Sequence, residues 1–162
     1  MGTLERVTLR RAAPSDAESV ADLYLRSRRA AAAAAGRIPP LRHDDDEVRK
    51  WVAQSVIASL ECWLAESGAG TVVGMLVLDR DWIDQLYVDP ALTRGGVGAE
   101  LVSVAKRERP AGLRLWTFTS NEGAQRFYLR HGFREVSRTD GSDNEERAPD
   151  IQYVWSPTVG LR

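Results

Sequence analysis

The stretch Val88-Asp89-Pro90-Ala91-Leu92-Thr93-Arg94-Gly95-Gly96-Val97-Gly98 joins a strand to a helix through a glycine-rich turn. Before it, Trp82 to Val88 is rich in aromatic and β-branched residues and predicts a strand. After it, Val97, Leu101 and Val104 recur at helical spacing along a helix that runs to Glu108 and ends at Pro110-Ala111-Gly112. Glycines at such a junction let the backbone approach a ligand closely. The first amides of the helix point outward with the positive end of its dipole behind them. An anion is the expected guest. The spacing fits neither a phosphate loop, which needs Gly-Lys-Ser/Thr, nor a dinucleotide fingerprint of the Gly-x-Gly-x-x-Gly type. Taken alone, the turn is equally consistent with glycines that simply let a helix pack tightly.

Towards the N-terminus, residues 62–66 and 71–79 flank the turn Ser67-Gly68-Ala69-Gly70 and predict an antiparallel hairpin. Residues 4–11 alternate as a first strand and stop at Ala12-Ala13-Pro14. Ser15 or Asp16 then caps a helix with Val20, Leu23, Tyr24 and Ser27 on one face, running through alanines 30–35 until Gly36 stops it. After the rigid Pro39-Pro40 connector, Asp44, Asp45 or Asp46 starts a second helix that puts Val48, Trp51, Val52 and Val56 on one face. Towards the C-terminus, Leu113 to Phe118 reads as a buried strand, 121–131 as a helix closed by Gly132, and 133–138 and 151–155 as the last strands. The polar segment 139–150 separates those two. The expected order is β, α, α, β, β, β, α, β, α, β, β.

A chain of 162 residues with 43% apolar content is the size of one compact domain, so residues 1–162 are expected to form a single unit. The formal net charge of −1 draws it toward neither nucleic acid nor an anionic membrane. Cys62 is the sole cysteine and His43 and His131 the only histidines, which argues against a disulfide and a zinc centre. Cys62 is expected in the core. No apolar stretch is long enough for export or membrane spanning, so a soluble cytoplasmic protein is expected.

Val88-Asp89-Pro90 followed by a glycine turn ending Gly96-Val97-Gly98 resembles the acetyl-CoA signature of the GCN5-related N-acetyltransferases, the GNAT family, written Arg/Gln-x-x-Gly-x-Gly/Ala. Registering Gly96 and Gly98 on its glycines puts Thr93 at the Arg/Gln position, a departure that Arg94 could offset. Asn121-x-x-Ala124-x-x-x-Tyr128-x-x-x-Gly132-Phe133 resembles the second half of the same cofactor site. On a helix, Asn121, Ala124 and Tyr128 fall at about 0°, 300° and 700°, on one face, with Asn121 and Tyr128 about 10 Å apart along the axis. The plain readings are an Asn121 or Thr119 helix cap and core aromatics at Phe127-Tyr128.

The resemblance implies an acyl-CoA N-acyltransferase fold of the α/β (α+β) class: a twisted, mostly antiparallel mixed sheet of about seven strands, flanked by about four helices. It implies that the sheet splays between the strands ending at Val88 and starting at Leu113, with acetyl-CoA or coenzyme A in the split. Main-chain groups of Leu86, Tyr87 and Val88 would meet the pantetheine arm. Amides of Arg94, Gly95, Gly96, Val97, Gly98 and Ala99 would hold the diphosphate, and Asn121 and Ala124 would line the arm. Tyr128 would protonate the departing thiolate, a role that suits a phenol of pKa about 10 facing a thiol of about 8.5.

The implied acceptor is a primary amine, on a small molecule or a peptide, attacking the thioester directly. Its proton needs a base. Asp84 on the strand leading to the turn, Glu146 in the acidic segment 140–147 and a water relay all stay open. His43 either lines the acceptor pocket or sits on the surface at a helix start. Homodimers are common in the family, so a homodimer is one expected state. The rival readings are a cofactor-binding module without turnover, which would not require an acid at the thiol, and transfer of a different acyl group.

Overall fold

The computed structural model describes residues 6–34, 38–92 and 95–157. Seven strands form one sheet in the order β1-β2-β3-β4-β5-β7-β6. They are β1 (Val7–Arg11), β2 (Glu61–Ser67), β3 (Val72–Asp79), β4 (Trp82–Val88), β5 (Leu113–Phe118), β6 (Arg134–Thr139) and β7 (Asp150–Trp155). Four α-helices flank them: α1 (Ala17–Ala33), α2 (Asp45–Trp51), α3 (Val97–Glu108) and α4 (Glu122–Arg130). Every neighbouring pair is antiparallel except β4 and β5, which run parallel. The fold class and element order expected from the sequence are therefore present. Thr93, Arg94 and Gly36 lie outside the described residues. Among the described residues, no helix is long and apolar enough to cross a membrane.

β3 explains why the sheet has a core on each side. Its run Val72-Val73-Gly74-Met75-Leu76-Val77-Leu78 is buried throughout, which only a central strand covered on both faces permits. Leu76 and Leu78 join α3, β5 and β7 in one cluster with Leu101, Leu115 and Tyr153. Met75 and Val77 join α1 and the second helix in the other, with Leu23, Val52 and Cys62. Burial in that second cluster pushes the Cys62 thiol up to about 12, so it behaves as an inert core residue. At Gly74, a Cβ would stand 2.9 Å from both Leu101 Cδ1 and Val97 Cγ1. The glycine lets α3 settle directly on the strand backbone.

Three expectations are corrected. α2 starts as read, with the Asp44 carboxylate accepting from the Glu47 N–H at 2.8 Å in a capping box. It then widens into a π-helical segment, Val52–Ile57. Val48, Val52 and Val56 are buried in the cluster under α1, and the half-buried Trp51 packs against the same cluster, its ring edge-on to Tyr24 at 5.1 Å. β5 is not buried on both sides: Leu113, Leu115 and Thr117 point into the core while Trp116 is 44% exposed. The reason is coverage, since the core under α1 and α2 takes residues from β2, β3 and β4 and none from β5 or β7. α4 is capped by Asn121, whose side-chain oxygen accepts from the Ala124 N–H at 3.3 Å. Asn121 thus stands just outside the helix, and the wheel angle expected for it does not apply.

Leu101 is fully buried between α3 and β3. Leu101→Ala is expected to lower stability by about 2–5 kcal/mol, read as a fall in the urea midpoint. An unchanged midpoint would remove α3 from the core.

Candidate active site

β4 and β5 are joined at their starts and nowhere further along: Trp82 opposes Arg114, and the Arg114 N–H donates to the Asp81 carbonyl at 2.9 Å. The same corner is pinned by side chains. The Arg114 guanidinium donates two hydrogen bonds of 2.9 Å to the Asp81 carboxylate and lies 4.4 Å over the Trp82 ring, which stacks on Trp116. Just beyond, β4 carries a bulge. Val77 opposes Gln85 and Leu78 opposes Ile83, so Asp84 is an extra residue without a partner on β3. A bulge bends a strand and increases its twist, and here it directs residues 86–88 away from β5. Their far edge is left as unpaired backbone facing a wedge-shaped split. On the α1 side, the Ser27 hydroxyl approaches the Val88 carbonyl at 3.4 Å.

The start of α3 lies at the mouth of that split. Gly96 takes the left-handed conformation (φ 83°, ψ 0°) that L side chains disfavour, and no side chain caps the helix. Gly95 donates to the Leu92 carbonyl and Glu100 to that of Gly96. The amides of Val97, Gly98 and Ala99 belong to the first turn and lack intrahelical acceptors. At Gly98 a Cβ would meet Phe127 Cζ at 3.2 Å and Val88 Cγ2 at 3.7 Å. The end of β4, the start of α3 and the face of α4 therefore converge on one glycine.

From α4, Tyr128 joins the core beside α3 and β5, and Ala124 packs against it. The Asn121 oxygen is committed to its cap, which leaves the carboxamide nitrogen to reach a ligand. Tyr128 is 8% exposed and packs edge-on to Phe127 and Phe133 at 5.2 and 5.3 Å. It is thus the core aromatic of the plain reading. Burial first, then the neighbouring Tyr87, push its phenol well above the ordinary value, so it is firmly protonated at neutral pH.

On the other side of β4, the Tyr87 side chain forms a centre that sequence reasoning missed. Its ring packs edge-on against Tyr24 at 5.3 Å. Burial raises its phenol, the adjacent Arg28 opposes that rise, and the charges of Glu146 and Asp84 add to it. Asp84 is exposed along one edge, yet the protein around the bulge raises its carboxyl above the usual range, against a weak hydrogen bond from Gln85. Glu146 lies 3.6 Å from the Arg28 guanidinium and lines a cavity of about 410 Å³ together with Trp116, Thr117 and Phe118. A groove of about 500 Å³ between α1 and α2 is lined by the ion pairs Arg49–Asp22 and Arg29–Asp45 and shares no residue with the split.

Glu146 is held there by its own loop. Gly141 is left-handed (φ 84°), and a Cβ on it would fall 2.2 Å from the Ala148 carbonyl carbon, so the two limbs touch. Asn144 closes the loop by donating to the Ala148 carbonyl and accepting from its N–H, and Thr139 bonds Asp150 at the base. His43 does not line the cavity. It is exposed at the start of α2, with Nδ1 3.0 Å from Glu47 and Nε2 bonded to Glu145, so it clamps the loop to α2. Hydrogen bonds to Glu47 and then Glu145 raise its pKa above 6.5. The clamp is therefore fully charged below the unfolded value of about 6.5 and is lost as pH rises through the higher folded value. The His43 imidazole is expected to titrate above 6.5 by NMR, with amide exchange in residues 140–149 quickening over the same range. In His43→Gln that pH dependence should vanish.

Against this geometry, the relations to known proteins agree with one another. Residues 58–135 match the acetyltransferase (GNAT) domain. The chain is 28% identical over 93 residues to peptidyl-lysine N-acetyltransferase YjaB of Salmonella typhimurium, covering 57% of this chain and 63% of that protein. The chain thus matches somewhat under two thirds of that relative's length. The solution structure of apo YjaB from Escherichia coli superposes with a TM-score of 0.71 at 23% identity, covering 94% of this chain and 99% of that one. Salmonella typhimurium yncA, solved with its cofactor acetyl-CoA, superposes with a TM-score of 0.66 at 17% identity over 97% of both chains. Residues 58–135 thus match the acetyltransferase (GNAT) domain, and the described chain takes the fold of solved GNAT acetyltransferases.

Proposed function

We propose that the protein is an acetyl-CoA-dependent N-acetyltransferase that acetylates a primary amine by direct attack. The observation that carries this reading is the convergence at Gly98. The uncapped amides of α3 and the unpaired edge of residues 86–88 face one split. The residues fit the cofactor. Open amides at a left-handed glycine start suit a diphosphate, and a free strand edge suits an arm that carries amides. Relatives support the chemistry: YjaB is named for peptidyl-lysine acetylation, and yncA was solved with acetyl-CoA.

Acetyl-CoA, when bound, supplies an activated acetyl thioester. The amides of Val97, Gly98 and Ala99 would hold its diphosphate, the Leu86 and Val88 backbone would align the arm, and the Asn121 carboxamide nitrogen would donate to it. Gly95 and Gly96 let the turn approach without side chains in the way. Arg94 would add charge at the same place. An amine of lysine type has a pKa near 10.4, so freeing its lone pair at pH 7 costs about 4–5 kcal/mol. Asp84, with a raised carboxyl, and Glu146 both face the Tyr87 side, and either receives that proton through water. Tyr128 Oη, kept protonated by burial, would be the group to give a proton to the departing sulfur.

The test is acetyl-CoA with a panel of amines, read by mass spectrometry of the products. Acetylated primary amines are expected, and a panel left wholly unmodified would overturn the reading. Tyr128→Phe is expected to lower turnover about 100-fold or more while leaving acetyl-CoA affinity within about twofold. A Tyr128→Phe enzyme with undiminished turnover would remove the assigned acid.

A further inference from the structure

Arg28 is the most unusual charged residue in the described chain. It sits on α1 four residues after Tyr24, on the stripe that faces the core, and is 5% exposed. Its Nε and Nη2 are buried and have no hydrogen-bond partner among the described residues. These two atoms form one edge of the guanidinium, the two-pronged edge that grips a carboxylate with parallel hydrogen bonds. A carboxylate is near: Glu146 Oε1 stands 3.6 Å from Nη2, an ion pair without a hydrogen bond. The loop that carries Glu146 is closed by the Gly141–Ala148 contact and the Asn144 bonds rather than by Arg28.

The guanidinium bonds the Tyr87 hydroxyl, but its buried Nε/Nη2 edge makes no hydrogen bond, which is unfavourable, so the site gains from a ligand that completes that edge. The surroundings say which ligand. Arg28 lies beside the Tyr87 hydroxyl and next to the cavity wall formed by Glu146, Thr117 and Phe118. We propose that Arg28 binds a free carboxylate of the acceptor, so that the amine acetylated at the split belongs to a small amino acid rather than to an internal lysine of a protein. The carboxylate takes the Nε/Nη2 edge, and the acceptor's side chain extends into the cavity of about 410 Å³, against Trp116 and Phe118. The acidic groups at its rim, Asp143, Glu146 and Asp150, favour side chains that are neutral or cationic over acidic ones.

This inference rests on the acetyltransferase reading, and two measurements separate their failures. The first compares kcat/KM for the standard amino acids with that for their α-carboxamides and for lysine-containing peptides, using the full chain and acetyl-CoA. The free acids should be preferred by about 100-fold or more. Arg28→Met should erase that preference by losing activity on the acids alone, and Arg28→Lys should retain part of it. The second omits the cofactor: calorimetric titration with N-acetyl amino acids and with their carboxamides should show binding of the acids to the native protein and none to Arg28→Met. Circular dichroism establishes that each variant is folded, and the native-protein comparisons hold even if Arg28→Met is not. Acids and amides acetylated equally, peptides preferred over both, or an Arg28→Met loss shared equally by acids and amides would each overturn the proposal and make Arg28 a structural pin. If no amine is acetylated at all, the acetyltransferase reading fails, and the cofactor-free titration still decides whether Arg28 holds carboxylates.

Discussion

Strands β4 and β5 are held together at Trp82 and Arg114 and separate immediately afterwards. Two neighbouring features make this stable. The Arg114–Asp81 pair and the Trp82–Trp116 stack fix the corner, and the extra residue Asp84 bends β4 just past it. A parallel pair that parts in mid-sheet would ordinarily leave two edges of unsatisfied backbone. In the proposed site that edge receives the cofactor, with residues of α3 and α4 packed in the core on one side of β4 and β5. The free edge of β4 follows from that one divergence. So does the separation of two chambers, with the helix start on one side of β4 and the Tyr87 centre on the other.

The two chambers differ in how they are built. The α3 side depends on missing side chains: Gly74 lets the helix settle on β3, Gly96 turns the chain, and Gly98 admits Phe127. The Tyr87 side depends on polar groups brought together from distant segments, Arg28 from α1, Asp84 from the bulge and Glu146 from a loop more than a hundred residues after α1. Holding Glu146 requires a left-handed Gly141 and an Asn144 bonded to its own loop, which gives the segment between β6 and β7 a definite shape instead of a solvated one. His43 attaches that loop to α2 through carboxylates on both of its ring nitrogens. The side proposed for the acceptor is thus tied to the second helix, and the side proposed for the cofactor to the central sheet.

Much of this was legible in the sequence, for identifiable reasons. Alternation and helical spacing located every strand and helix to within a few residues, and the glycine turn between β4 and α3 announced its conformation through residue type alone. Tyr128 could be singled out because Asn121, Ala124 and Gly132 stand around it at fixed intervals. Arg28 could not, because a charge on a helix is ordinarily solvated; the available signal was its position on the same stripe as Val20, Tyr24 and Ser27. The widened turn at Val52–Ile57 leaves no mark in residue type. Asn121 reads both as a face residue and as a cap, and its side chain caps the helix that begins at Glu122. Trp116 on β5 reads as core by composition and is exposed because no helix covers that half of the sheet.

The central claim is that the divergence of β4 and β5 creates the cofactor site, and amide-resolved NMR during titration with coenzyme A tests it most directly. The account predicts that the largest shifts fall on the amides of residues 95–99 and 86–88, with smaller ones at Asn121 and Ala124. Saturable shifts confined to the groove between α1 and α2, or amides 95–99 left unmoved at saturation, would contradict it.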